Sequence, residues 1–243
     1  FIMECVDGRV FWDPSLPGVP AAERALLYDD MNRVLAALHS VDYQAVGLAN
    51  FGKPGGYLAR QIARWSKQYK ASETERIDAM DQLIAWLPDN IPTSDETTIV
   101  HGDFRIDNLT FHATRPEVAA VVDWELSTLG HPLADLAYHC LSRHVPREGF
   151  RGMQGLDLPA LGIADEQSYL ASYCQRTGRS DICYWDFYLA YNMFRMAAIL
   201  QGIMKRHVDG IAASPEAESA GREARPMAEL GWRHVLKIID GDA

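Results

Sequence analysis

The sequence predicts an α+β fold, mostly helical, with one small β insertion near its middle. Apolar residues recur at helical spacing before residue 93 and again after residue 131. Between them, from Thr97 to Glu125, the texture becomes short and β-branched. The composition agrees: 243 residues, 48% hydrophobic and 23% charged, suit one large domain with a real core.

The elements follow in order. The first dozen residues, to Trp12, read as a strand end, a turn at Asp7-Gly8 and a second short strand. Pro14, Pro17, Gly18 and Pro20 make a rigid loop. Leu27, Met31, Val34, Leu35 and Leu38 line one face of a helix from Ala21 to His39. After a loop at Gly52–Gly56, Leu58, Ile62, Trp65 and Tyr69 mark a second helix. Ile77, Met80, Leu83, Ile84 and Leu87 mark a third, stopped by Pro88 and Pro92. Thr97–Val100, Leu109–His112 and Val118–Val122 read as strands, the last two joined by a Pro-containing turn, within a hairpin region at 97–125. Pro132 opens a helix that runs to Arg143. Residues 149–162 read as loop. Asp165 caps a helix that ends at Gly178. Tyr184–Val208 is the longest helix, residues 210–226 read as a mobile segment, and Met227–Ile239 closes the chain as an amphipathic helix.

Charge and hydropathy remove several functions. With 23 basic against 33 acidic residues the net charge is −10, a poor match to a nucleic-acid backbone. The longest apolar stretch, Phe187–Met204, is broken by Asn192, Arg195 and Gln201, so no membrane span is expected. No basic segment precedes an apolar one as in a signal peptide. Four cysteines without metal-ligand spacing read as reduced thiols of a cytoplasmic protein.

The chemistry concentrates in His101-Gly-Asp-Phe-Arg-Ile-Asp-Asn108 and Val121-Val-Asp-Trp-Glu125. A hairpin between them brings Asn108 and Asp123 together beside the loop that carries Asp103. One amide and one carboxylate suit a hard cation such as Mg²⁺, which completes its shell with water and phosphate. Asp103, close by but not needed as a ligand, can accept a proton from a hydroxyl. A lone Asp in a loop more often caps a turn; the offsets to Asn108 and Asp123 favour the catalytic reading. This is a kit for phosphoryl transfer.

The H-x-D-x-x-x-x-N loop followed by a hairpin and an Asp resembles the catalytic loop of protein-kinase-like folds. Gly102 and the Val-Asp-Trp-Glu ending resemble the aminoglycoside phosphotransferase and choline kinase family. The run through Asp123-Trp-Glu-Leu-Ser-Thr-Leu-Gly-His-Pro-Leu-Ala-Asp-Leu-Ala137 is similar to the kinase-like domain fused to some acyl-CoA dehydrogenases. The resemblance implies the large, C-terminal lobe of such a fold over 15–243, with 1–14 as a hinge remnant between lobes. It implies Asp103 as base, Asn108 and Asp123 as metal ligands, His101 as a structural residue, and Asp135 as the anchor of the loop backbone. It places Glu4, Cys5 and Val6 where hinge backbone meets adenine, and Arg105 near the transferred phosphate. The cofactors implied are ATP and Mg²⁺, and the partner is a small molecule with a hydroxyl.

The same resemblance calls for a small lobe with a Gly-rich loop and a Lys, and neither is legible. The chain is therefore expected to be a large-lobe piece, inactive alone, without the N-terminal lobe needed for nucleotide binding.

Other readings stay open. Arg105 serves a phosphate or pairs with Asp107 or Glu125; Asp107 reads as a solvated loop residue, and Glu125 more as solvated than as metal-assisting. Tyr188, Asn192 and Arg195, at i, i+4 and i+7, form either a solvent-facing strip or the wall of the acceptor pocket. If Arg195 faces that pocket, it favours a neutral or anionic acceptor, such as a hydroxyacyl compound, over a polyamine. The alternatives to a kinase are a pseudokinase or binding module and a metal-dependent hydrolase.

Overall fold

The computed structural model describes residues 5–149 and 151–241. Eight α-helices and four short strands are assigned among them. Helix α1 (Ala21–His39) buries Leu27, Met31 and Leu35 completely, as the spacing predicts. Helix α2 (Tyr57–Ser72) starts behind Gly56, whose φ of 59° lies in the left-handed region. Helix α3 (Asp78–Trp86) continues into a 3₁₀ turn at Leu87–Asn90. Strands β1 (Thr98–Val100), β2 (Leu109–Phe111), β3 (Val118–Val121) and β4 (Thr128–Gly130) precede α4 (Pro132–Cys140). Then follow α5 (Glu166–Thr177), α6 (Trp185–Val208), α7 (Ala217–Arg222) and α8 (Ala224–Asp240).

Helix α6 is the spine. From Phe187 to Ala198 every residue is buried, with α2, α4, α7 and α8 packed around it. A helix covered on all sides has no solvent face, so its polar residues must find partners inside the protein. Local signals frame α5: Asp165 Oδ1 accepts from Ser168 N at 2.8 Å, and Gly178 closes the helix at φ 72°. Such a cap is worth about 1 kcal/mol.

The strands form two separate antiparallel ladders. In one, β2 pairs with β3 in the register Leu109↔Val121, with an irregularity between Thr110 and Phe111. In the other, β1 pairs with β4 (Val100↔Thr128), an element that the sequence reading left out. Three residues ending in Gly carry too little pattern to read as a strand. The structure still requires Gly130, because a Cβ there would lie 2.7 Å from Val100 Cγ2.

Two further expectations are corrected. No strand forms at 5–12; Arg9 alone bridges to Phe111 through paired backbone bonds of 2.8 Å. The expected mobile segment 210–226 instead contains α7 and the start of α8, with Gly221 pressed on the backbone of Met204. Among the described residues no helix is long and apolar enough to cross a membrane.

Candidate active site

The loop His101–Asn108 leaves β1 and folds back into β2. Its first turn needs Gly102: φ is +81°, and a Cβ would meet Leu126 O at 2.7 Å. Asp135, in the first turn of α4, holds this turn by its backbone. Its carboxylate accepts from His101 N at 2.7 Å, Gly102 N at 2.9 Å and His39 Nε2 at 3.3 Å. Burial pushes the Asp135 pKa up, but the hydrogen bonds from His39, His101 and Gly102 outweigh it and hold the group below the ordinary carboxylate value.

His101 is fully buried against Phe104 and Trp124. Its Nδ1 accepts from Asp103 N at 3.2 Å, so the proton sits on Nε2 and points to Val122 O at 2.9 Å. The histidine thereby ties the loop to the far strand of the hairpin.

Asp103 receives two hydrogen bonds and one ion pair. Tyr138 Oη donates to Oδ1 at 2.5 Å, Asn108 Nδ2 donates to Oδ2 at 2.9 Å, and Arg105 Nε lies 3.2 Å from Oδ1. Burial and the Asp103 carboxylate push the Tyr138 pKa well up, so the phenol keeps its proton and serves as a donor. Tyr138 was not foreseen, although its place three residues after Asp135 on α4 puts both on one helix face.

Asn108 and Asp123 converge as the hairpin argument predicts. Past the pair Leu109↔Val121, Val122 N donates to Asn108 O at 2.9 Å, which sets Asp123 at the same end of the ladder. Asn108 Nδ2 is held by Asp103, leaving Oδ1 as its acceptor end. Asp123 is exposed and makes no hydrogen bond or ion pair among the described residues. It adopts φ 65°, ψ 55°, a left-handed conformation uncommon outside glycine. Two oxygen donors at the same end of the ladder, one on a strained backbone and unpaired, could serve a Mg²⁺ site completed by water and phosphate. Among the described residues no cluster of three His, Cys, Asp or Glu side chains offers an all-protein metal cage.

Other expected residues lie elsewhere. Cys5 and Val6 are exposed, and Glu4 falls outside the described residues. The Asp107 carboxylate is not solvated: only 4% exposed, it sits between Arg105 at 3.5 Å and Arg151 at 2.5 Å. Arg105 thus pairs with Asp107 as well as with Asp103; Glu125 is exposed and takes no part.

The strip on α6 is neither solvent-facing nor a pocket wall. Tyr188 and Asn192 are buried, with Tyr188 Oη against His131 Nε2 and Asn192 Nδ2 donating to Ala134 O at 2.9 Å. Arg195 donates to Gly102 O at 2.6 Å and stacks its guanidinium on the Tyr138 ring at 4.9 Å. These groups face inward because α6 is covered all round, so they serve as internal ties rather than acceptor contacts. A cavity of about 60 Å³ opens behind the loop, walled by Arg105, Asp107, Tyr138 and the end of α4.

The fold and this loop have the form found in kinase-like phosphotransferases, and comparison with known proteins agrees. The chain belongs to the phosphotransferase enzyme family, whose model matches residues 1–166. Mouse acyl-CoA dehydrogenase family member 10 is 48% identical over 239 residues, a match that covers 98% of this chain and 22% of that protein. The chain thus spans about a fifth of the length of this relative. Among solved structures, a protein from Ralstonia eutropha JMP134 assigned as an aminoglycoside phosphotransferase is 62% identical. It superposes with a TM-score of 0.94 over 97% of this chain and 72% of its own. A choline kinase from Cryptosporidium parvum Iowa II shares the fold at a TM-score of 0.61 and 11% identity, covering 98% of this chain and 71% of that one.

Proposed function

We propose that this protein transfers the γ-phosphoryl group of ATP to a hydroxyl of a small molecule in the cytoplasm. The observation that carries the reading is the Asp103 carboxylate, aimed by Tyr138, Asn108 and Arg105 on a loop held by Asp135. Such fixed geometry is what phosphoryl transfer asks of a protein, since positioning and charge stabilisation supply most of the catalysis.

Asp103 takes the proton of the acceptor hydroxyl as that oxygen bonds to phosphorus and the bond to the departing ADP breaks. Arg105, beside Asp103, can shift from its ion pair to stabilise charge on the transferred group. Asn108 and Asp123 are the residues that would hold Mg²⁺, whose charge would offset that of the phosphates. His101 and Asp135 keep the loop in place, and the hinge backbone at Glu4–Val6 is assigned to adenine through the family resemblance.

The acceptor reading is neutral or anionic rather than polycationic. Asp103 and Asp107, the carboxylates of the loop, are both engaged by guanidinium groups, so neither is free to receive amines. The name of the mouse relative points toward a hydroxylated acyl compound. The test is Asp103→Asn, assayed by ADP release with a panel of hydroxyl compounds. We expect a loss of about 10²–10⁴-fold in kcat with little change in nucleotide binding. Activity within threefold of wild type would remove Asp103 from the chemistry.

A further inference from the structure

Helix α5 buries two residues, Tyr169 and Tyr173, at i and i+4 on one face. Each hydroxyl reaches a histidine on another helix. Tyr169 Oη lies 2.6 Å from His139 Nε2 on α4, and Tyr173 Oη lies 2.7 Å from His39 Nδ1 on α1.

The direction of each bond follows from what lies beyond it. On the first path, Phe104 O stands 3.3 Å from His139 Nδ1, and a carbonyl only accepts, so Nδ1 carries the proton. Burial lowers the His139 pKa to about 4, which keeps the ring neutral and leaves Nε2 to accept from Tyr169. On the second path, His39 Nε2 donates to Asp135 Oδ2, so Nδ1 is the accepting nitrogen of the neutral ring. Tyr173 fills it, because its oxygen already accepts from the Arg179 guanidinium, a group with donors alone that Glu96 holds in place. Burial pushes the pKa of both phenols up, so each keeps the proton it donates. The two histidines are therefore opposite tautomers.

Both paths end on the catalytic loop. His139 meets the carbonyl of Phe104, the residue after Asp103. His39 meets Asp135, whose carboxylate accepts from the amides of His101 and Gly102, the two residues before Asp103. One helix thus holds the loop on either side of Asp103. A single attachment would let the peptide pivot, whereas two attachments separated along the backbone fix where the carboxylate sits and where it points. Resting on the kinase reading above, we infer that Tyr169 and Tyr173 are positioning residues for Asp103, acting through His139 and His39.

The test reads the hold on the loop and the chemistry separately. Long-range ¹H–¹⁵N spectra of the 243-residue chain should show the proton on Nε2 of His39 and on Nδ1 of His139. The other neutral tautomer at either ring would overturn the inference. Tyr173→Phe should quicken amide exchange at His101 and Gly102 about tenfold relative to the amides of α6. In Tyr169→Phe and in Tyr173→Phe, kcat for phosphoryl transfer should fall about tenfold, with both KM values within about twofold of wild type. Tyr28→Phe is the control for plain loss of stability, since it deletes a similar buried bond, to Pro14 O at 2.6 Å. It should lower the melting temperature and leave kcat and loop exchange unchanged. If one variant does not fold, as judged by its melting curve, the wild-type tautomers and the other variant decide. Values of kcat at the control level in both variants would overturn the inference, even with faster loop exchange. The expected tautomers and exchange rates in a wild-type protein that transfers phosphate to no hydroxyl compound would keep the hold on the loop and defeat the kinase reading.

Discussion

Asp135→Asn separates an anchored loop from one that merely lies near α4. The wild-type carboxylate accepts three hydrogen bonds while only 4% exposed: from His101 N at 2.7 Å, Gly102 N at 2.9 Å and His39 Nε2 at 3.3 Å. An Asn side chain keeps one acceptor and turns an NH₂ toward an N–H, so at least one bond becomes a donor–donor contact with no water to relieve it. Bonds to a charged acceptor contribute about 1.5–3 kcal/mol each. Breaking such a buried set therefore costs about 3–5 kcal/mol, a large part of the stability of an ordinary domain. Urea unfolding at pH 7 should show this loss as a lower midpoint with an unchanged slope. Acid provides an internal check. The folded pKa of Asp135 is depressed, so its stabilisation is complete above the unfolded value near ~3.9 and is lost as pH falls through the lower folded value. The gap between wild type and variant should hold from pH 7 to about pH 5 and narrow below about pH 4. A gap under ~1 kcal/mol at pH 7, or one that widens in acid, would refute the anchoring argument.

Two more outcomes follow from the same loop. With nucleotide present, Mn²⁺ should raise the melting temperature, and Asp123→Asn should erase that rise; an equal rise in the variant would take Asp123 out of the metal site. Gly102→Ala should destabilise the chain by about 1–3 kcal/mol, since it combines φ +81° with a Cβ 2.7 Å from Leu126 O, and thermal unfolding within ~1 °C of wild type would show that the turn can relax.

Much of this architecture was written in local chemistry. The ends of α5 are set by Asp165 and Gly178, residues whose preferences act within a few positions, so its bounds could be read directly. The convergence of Asn108 and Asp123 followed from hairpin geometry alone. What escaped was decided by distant partners. His39 reaches Asp135 across 96 residues, and nothing around His39 announces it. Tyr188, Asn192 and Arg195 read as one face, either solvent-facing or lining a pocket, because their spacing is helical, yet spacing cannot say that the opposite wall is α4 and the catalytic-loop backbone. Asp107 looked like a solvated residue until Arg151 closed over it from 44 positions away. Strand β4 was missed for a different reason: three residues ending in glycine carry almost no periodic signal.

The grip of Arg195 on Gly102 O has a consequence for how the molecule comes into being. The peptide that carries the proposed base is held from α1 through His39, from α4 through Asp135 and from α6 through Arg195. These holds span most of the chain, and the last is made more than ninety residues after Asp103 leaves the ribosome. Until α6 docks, a nascent chain has the catalytic motif but not its geometry. Competence should therefore arrive in one late step during synthesis, and a chain released before residue 195 should carry every motif residue of the loop yet remain inert.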